Sequence, residues 1–216
     1  MARIRILIAD DHALIRAGLR ELLAGQPDIE VVGEAGDGVV VVDQCRRQAP
    51  DLVLMDLNMP GRGGVSAIED LQRTCPNVKI LVLTMHEDPA FAWVALRAGA
   101  AGYVLKRSLA AELFAAIRSV QRGEQYITPS VAREVFRPER TAPLPNRNGS
   151  ALEMLTPREQ ELVGFIASGH TNLETARLLS ITDNTVEAHR RHIMTKLGLR
   201  TRAELVRFAL DQGLLA

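Results

Sequence analysis

Residues 52–56 read Leu52-Val53-Leu54-Met55-Asp56, four apolar side chains running without a break into a carboxylate. A strand with one wet face alternates apolar and polar residues, so an unbroken apolar run marks a strand buried on both faces, as in a parallel sheet. Ile6-Leu7-Ile8 and Ile80-Leu81-Val82-Leu83 repeat the pattern on either side. The strand candidates are Ile4 to Ala9, Ile29 to Ala35, Leu52 to Asp56, Ile80 to Met85 and Gly102 to Leu105. Amphipathic stretches separate and follow them: Ala13 to Leu23, Val39 to Gln48, Gly64 to Thr74, Pro89 to Ala98 and Leu109 to Arg122. Five such βα units within residues 1–125 predict an α/β domain, a five-stranded parallel sheet doubly wound in the flavodoxin-like manner.

The pattern changes beyond residue 125. Residues 137–151 hold Pro138, Pro143, Pro145, three arginines and Asn146, Asn148, Gly149 and Ser150, the composition of a linker. A short helix from Ser130 to Phe136, with Pro129 in its first turn, precedes it, and the linker region is set at 126–152. Residues 153–216 read as helical throughout. Thr156-Pro157-Arg158-Glu159 is a capping box with proline at the first helical position, and Thr171 to Glu174 and Thr201 to Glu204 repeat the box. Thr182 offers a fourth start, and Gly169 and Gly198 stand where helices end. Four short helices at 157–167, 172–179, 183–197 and 202–212 form a small all-α domain.

Composition bounds the rest. Of 216 residues, 47% are apolar and 24% charged, enough to fill a core and too apolar for a disordered chain. Basic and acidic side chains balance at 26 each, which excludes a basic coat over the whole surface but not a local one. No apolar run nears the roughly 18 residues a membrane span needs. The stretch Ile4 to Ala9 is too short for a signal-peptide core. Cys45 and Cys75 provide neither a disulfide framework nor a metal cluster, and read as reduced thiols of a cytoplasmic protein.

In open α/β sheets, ligands bind beyond the carboxyl ends of the strands where strand order reverses. The first strand ends in Asp10-Asp11, the third in Asp56, the fourth in Thr84 and the fifth in Lys106. Three carboxylates in one crevice repel and demand a cation. Oxygen ligands alone favour Mg²⁺, a hard ion. A carboxylate beside Mg²⁺ acts as a nucleophile toward phosphorus, with a lysine as second cation and a hydroxyl to meet a phosphoryl oxygen. His12 and His86 flank this pocket without the further soft ligands zinc would want.

Ala9-Asp10-Asp11-His12, Asp56-Leu57-Asn58-Met59-Pro60-Gly61, Thr84 and Gly102-Tyr103-Val104-Leu105-Lys106 together resemble the receiver domain of two-component response regulators, over about residues 1–125. The resemblance implies that Asp56 accepts a phosphoryl group from a sensor histidine kinase. It further implies that Asp11, Asp56 and the backbone carbonyl of Asn58 ligate Mg²⁺, with Asp10 acting through water. Thr84 and Tyr103 would form the switch pair, Thr84 moving toward the phosphoryl group and Tyr103 turning inward behind it. Met85 follows the switch threonine where the family often has a small residue, bulk that would narrow access to the site.

The third helix of the all-α domain carries a local charge. From Asn184 to Arg202 there are five cations, Arg190, Arg191, Lys196, Arg200 and Arg202, against Glu187, as expected of a phosphate-facing patch. Helical spacing puts Val186, His189, Ile193 and Leu197 inward and Asn184, Glu187, Ala188 and Arg191 outward. Arg191 and Glu187 can then reach base edges and Ala188 a thymine methyl, while Lys196, Thr185 and the helix start at Asn172 suit phosphates.

Leu155 to Glu159, Gly169 with Asn172, Glu174 and Ala176, Thr185-Val186-Glu187 with His189, and Lys196-Leu197 resemble the helix-turn-helix of LuxR-type regulators. The whole chain is thus similar to NarL/FixJ-class response regulators. Such a protein would be a phosphorylation-gated transcription factor, not an enzyme, binding inverted promoter half-sites as a homodimer formed on activation, with no membrane partner. Two departures stand out: Thr175 where an apolar core residue is usual, and Glu187 where Lys or Arg is common. Two rivals remain: a receiver-containing regulator acting through protein contacts or without phosphorylation, and an Mg²⁺-dependent phosphotransferase with an aspartyl-phosphate intermediate.

Overall fold

The computed structural model describes residues 3–59, 64–108, 110–135, 152, 154–170, 172–199 and 201–214. The linker expected at 137–151 and residues Pro60, Gly61, Leu109, Phe136, Thr171 and Arg200 lie outside the described residues. The chain runs β1 (Ile4–Ala9), α1 (Ala13–Ala24), β2 (Ile29–Ala35), α2 (Gly38–Gln48), β3 (Leu52–Met55), α3 (Gly64–Thr74), β4 (Lys79–Thr84), α4 (Pro89–Arg97), β5 (Gly102–Leu105), α5 (Ala110–Gln121), β6 (Tyr126–Ile127) and α6 (Pro129–Val135). The second domain holds α7 (Pro157–Ala167), α8 (Asn172–Leu179), α9 (Asp183–Leu197) and α10 (Arg202–Asp211).

The sheet is parallel in the order β2-β1-β3-β4-β5-β6, and the order reverses at β1. Side-chain alternation sorts the strands' apolar residues between two cores. Ile6, Ile8, Leu52, Leu54, Leu81, Leu83 and Val104 pack with Leu23 of α1 and Leu113, Ile117 and Val120 of α5. Leu7, Val53, Met55, Ile80, Val82 and Tyr103 pack with α2, α3 and α4 on the other face.

Six strands stand where five were expected. Tyr126–Ile127 pairs in parallel with Gly102 and Tyr103 inside the stretch assigned to the linker. Two residues carry no periodicity, so only the pairing reveals the strand. Gly102 permits the approach: a Cβ there would lie 2.8 Å from the Tyr126 carbonyl oxygen. Helix α6 begins one residue before the expected start, and its Val131 and Val135 are buried.

The helical domain is built on its caps. The Thr156 hydroxyl accepts from the Glu159 amide while the Glu159 carboxylate accepts from the Thr156 amide at 2.8 Å. That carboxylate is buried, and Lys196, 37 residues on, donates to both its oxygens at 3.0 and 2.9 Å. Burial opposes the charge on Glu159, but the bonds from Thr156 and Lys196 outweigh it and hold its pKa below the usual range. A carboxyl depressed in the folded state contributes stability present above its unfolded pKa of about 4.3 and lost as pH falls through the folded value. Glu159→Gln should therefore melt earlier at neutral pH yet show a shallower loss of Tm on acidification below about pH 5.

Helix α9 ends at Gly198, in the left-handed region at φ 67°, where its amide donates to the Met194 carbonyl. Thr175 of α8 is fully buried, and its hydroxyl has no partner among the described residues. An orphaned buried hydroxyl costs on the order of 1–2 kcal/mol. Thr175→Val, equal in shape, should stabilise the helical domain by about 1 kcal/mol in denaturant melts; an unchanged or lowered midpoint would show that the hydroxyl is satisfied.

The domains meet through α10, which packs on both α7 and α4, while α6 also packs on α4. Val206 and Ala209 of α10 are fully buried, and the α2-α3-α4 core continues through them into the helical domain. Gly169 at the α7–α8 turn, φ 90°, lies over the Leu57 carbonyl, 3.6 Å from where its Cβ would be.

Candidate phosphoacceptor site and nucleic-acid interface

The chain leaves β1 at Asp10, whose Oδ1 accepts from the His12 amide at 2.8 Å, a turn that starts α1. Asp56 follows β3 directly, and its amide donates to the Ala9 carbonyl at 2.8 Å. The two carboxylates therefore meet at the point where strand order reverses. Ligand atoms of Asp10, Asp11, His12 and Asp56 all lie within 4.8 Å of one another. Asp10 and Asp56 are 2% and 3% exposed, whereas Asp11 and His12 are exposed.

Lys106, beyond β5, places its Nζ 2.5 Å from Asp10 Oδ2 and 2.6 Å from Asp56 Oδ2. Burial disfavours the ammonium, but its hydrogen bonds to Asp10 and Asp56 outweigh that and raise its pKa above the ordinary lysine value. One cation thus serves two buried carboxylates, and Asp56 Oδ1 remains buried with no partner among the described residues. A buried carboxylate oxygen without a donor needs a cation or a ligand. The three carboxylates Asp10, Asp11 and Asp56 offer the oxygen donors that a hard divalent ion such as Mg²⁺ takes, while the His12 ring pairs with Asp11.

Thr84 is fully buried, and its hydroxyl accepts from the His86 amide at 3.4 Å. Tyr103 is also fully buried, donating its hydroxyl to the His86 carbonyl at 2.8 Å. Burial, with the negative charges of Asp88 and Asp56, pushes the phenol far above its usual pKa, so it stays a donor. Met85 is 69% exposed.

Residue type and order placed His86 beside this pocket but gave it no partner, and did not mark Arg16 or Gly64. The His86 ring shares a 2.8 Å hydrogen bond with the Asn58 side chain and stacks on Phe91 at 4.3 Å. Arg16 donates to the Asp10 carbonyl at 2.6 Å and pairs with Glu34, bracing the β1–α1 turn. Gly64 opens α3 against the β3–α3 loop, where a Cβ would fall 2.4 Å from Leu57 Cα. The glycines of Gly61-Arg62-Gly63-Gly64 were the one available signal for that close approach.

In the helical domain Val186 and Ile193 of α9 are fully buried and Leu197 packs against the same core, while His189 is half-buried. Asn184, Ala188 and Arg191 are exposed, Arg191 at 75%. Thr185 is half-buried, its hydroxyl 2.7 Å from that of Thr182. Lys196, expected at phosphates, is the partner of Glu159, so its charge is engaged inside the domain. Glu187 is not isolated either. Its carboxylate accepts from Asn172 Nδ2 at 2.9 Å and from Arg190 Nη2 at 2.9 Å, with Arg191 Nε at 3.5 Å. The Arg190 hydrogen bond above all lowers its pKa.

Among the described residues no helix is long and apolar enough to cross a membrane. Cys45 and Cys75 are free thiols, and burial pushes Cys45 up to about 12.

Residues 6–118 match the family model of the response regulator receiver domain, and residues 153–209 match that of bacterial regulatory proteins of the luxR family. The chain is 40% identical over 214 residues to the oxygen regulatory protein NreC of Staphylococcus carnosus, covering 98% of this chain and 99% of that one. Among solved structures, the RcsB response regulator of Salmonella typhimurium superposes with a TM-score of 0.62 at 27% identity, over 98% of this chain and 100% of its own. A structure of RcsB with DNA is similar to the same degree, with a TM-score of 0.62 at 27% identity over 97% and 98% of the two chains. The chain belongs to the two-component response regulators that join a receiver domain to a luxR-family DNA-binding domain. It is a phosphorylation-dependent transcription regulator rather than an enzyme.

Proposed function

We propose that Asp56 takes a phosphoryl group from a phosphohistidine of a sensor histidine kinase, and that this event controls how the helical domain engages promoter DNA. The buried, partnerless oxygen of Asp56 beside the Lys106 ammonium carries this reading. The new bond joins an Asp56 carboxylate oxygen to phosphorus as the bond from phosphorus to the donor imidazole breaks, and the departing ring takes up a proton. Asp11, Asp56 and the Asn58 carbonyl would hold Mg²⁺, with Asp10 acting through water. When bound there, the ion would supply positive charge against the phosphoryl oxygens. Lys106 meets the same oxygens from β5, and the Thr84 hydroxyl donates to one of them.

Lys106→Met should leave Asp10 and Asp56 without their cation and cost about 3 kcal/mol, the loss expected on breaking a buried pair. Added Mg²⁺ should restore part of that loss; equal melts with and without Mg²⁺ would remove the metal from this account.

Thr84 and Tyr103 both bond to His86, and α4 starts three residues later. A shift of Thr84 toward the phosphoryl group therefore moves the root of the helix on which α10 rests. Residues 1–125 are taken as the receiver, 126–152 as the linker with its short helix, and 153–216 as the DNA-binding domain, in a cytoplasmic protein. Asn172, Thr185, Ala188, Arg190 and Arg191 face DNA, while Lys196 stays on Glu159, and activation yields a homodimer on inverted half-sites. Footprinting with acetyl phosphate-treated protein should protect two inverted half-sites about one helical turn apart. A single asymmetric half-site bound by monomer would overturn the dimeric reading.

A further inference from the structure

On the face of α9 that the DNA-binding reading turns toward the duplex, Glu187 is an anion, one turn beyond the exposed Asp183 that begins the helix. An anion on such a face repels phosphate, and direct cytosine reading by Glu187 would require its carboxylate to be available. It is not: Asn172 at the start of α8 and Arg190 one turn along α9 both donate to it, and Arg191 lies within ion-pair reach. Glu187 and Arg190 are about equally accessible, at 31% and 28%, so the pair sits at the surface where DNA can compete for either member. Arg190 Nε is buried and has no hydrogen-bond partner among the described residues, so the guanidinium has a donor left to satisfy.

We propose that Glu187 is a specificity-positioning residue: it occupies Arg190 and Asn172 in free protein and on unrelated DNA, and yields them only to an operator. This rests on the DNA-binding reading above. A lone phosphate offers Arg190 one charge in place of the one it already has, and Asn172 gains nothing. An operator offers Arg190 a bidentate guanine edge or an ordered phosphate, while other contacts hold α9 in the groove. Glu187 therefore lowers affinity for random sequence more than affinity for the operator, which is discrimination by disfavouring the wrong partner.

The test uses the full-length chain treated with acetyl phosphate, an operator selected by that chain from random duplexes, and a scrambled duplex of equal length. Glu187→Gln keeps the side chain's shape and removes its charge. Freeing one cation for phosphate should raise affinity for the scrambled duplex about fivefold near 0.15 M salt and steepen its log–log salt slope by about 0.9. Operator affinity should rise less, so the ratio of the two falls several-fold. In an Arg190→Ala background the same substitution should change neither affinity, since the effect passes through Arg190.

Three results would overturn the proposal. If Glu187→Gln lowers operator affinity alone and reselection shifts one base preference, Glu187 reads a base. If it raises scrambled affinity equally with and without Arg190, the carboxylate merely repels phosphate. If both affinities fall in parallel with the melting temperature, its role is structural. Wild-type protein retaining neither duplex would remove the DNA-binding reading itself, a failure distinct from these three.

Discussion

Incubated with Mg²⁺ and acetyl phosphate, the wild-type chain should gain one phosphoryl group by intact mass, and Asp56→Ala should gain none. The effect is all-or-none because no other carboxylate at the site has the same surroundings. Asp10 is as buried as Asp56, but its Oδ1 is occupied by the His12 amide and its Oδ2 by Lys106. Asp11 is exposed and engaged by His12 at 2.6 Å. Among the described residues, only Asp56 combines burial, the Lys106 ammonium and an oxygen left without a partner. Asp56→Asn belongs beside the alanine variant: it preserves volume while removing the nucleophilic charge, so it too should remain unmodified. A phosphoryl gain in either variant would move the acceptor elsewhere. No gain in wild type would point to strict dependence on the kinase, which a phosphorylated kinase domain in place of acetyl phosphate would then decide.

Replacing Arg190 and Arg191 together by alanine should abolish retention of DNA. Each arginine that contacts a base or phosphate is worth about 1–3 kcal/mol, so losing both weakens binding by about a hundredfold or more and flattens the salt slope by about two. The domain should survive the change, because α9 is anchored by Val186 and Ile193 on its opposite face and by the Lys196–Glu159 pair at its end. Unchanged retention in a folded double variant would transfer the helical domain's role from DNA to a protein partner.

The candidate phosphoacceptor pocket was legible because Asp10, Asp56, Thr84 and Lys106 stand at strand ends, and strand ends can be located from uninterrupted apolar runs. Asp10, Asp56, Thr84 and Lys106 converge simply because parallel strands bring their carboxyl ends to one edge of the sheet. The DNA-facing surface was legible only in part. Helical spacing placed Val186 and Ile193 inward and Arg191 outward, as found. It said nothing of partners, so Lys196 was assigned to phosphate while its ammonium sits on buried Glu159, and Glu187 was assigned to bases while it holds Asn172 and Arg190.

The sequence by itself determined what depends on neighbours within a few positions. Capping boxes, helix-ending glycines and apolar periodicity act across three or four residues, and α7, α8, α9, β1 and β2 fall at the bounds those signals predict. Tertiary structure decided whatever needs two distant segments to meet. β6 exists because β5 lies beside it, Glu159 is charged in a buried place because Lys196 arrives from another helix, and Tyr103 lies inward because the His86 carbonyl receives its hydroxyl. The seat of α10 on α4 belongs to the same group. Such contacts depend on how the amphipathic faces close over one another, and that geometry is absent from any local stretch of chain.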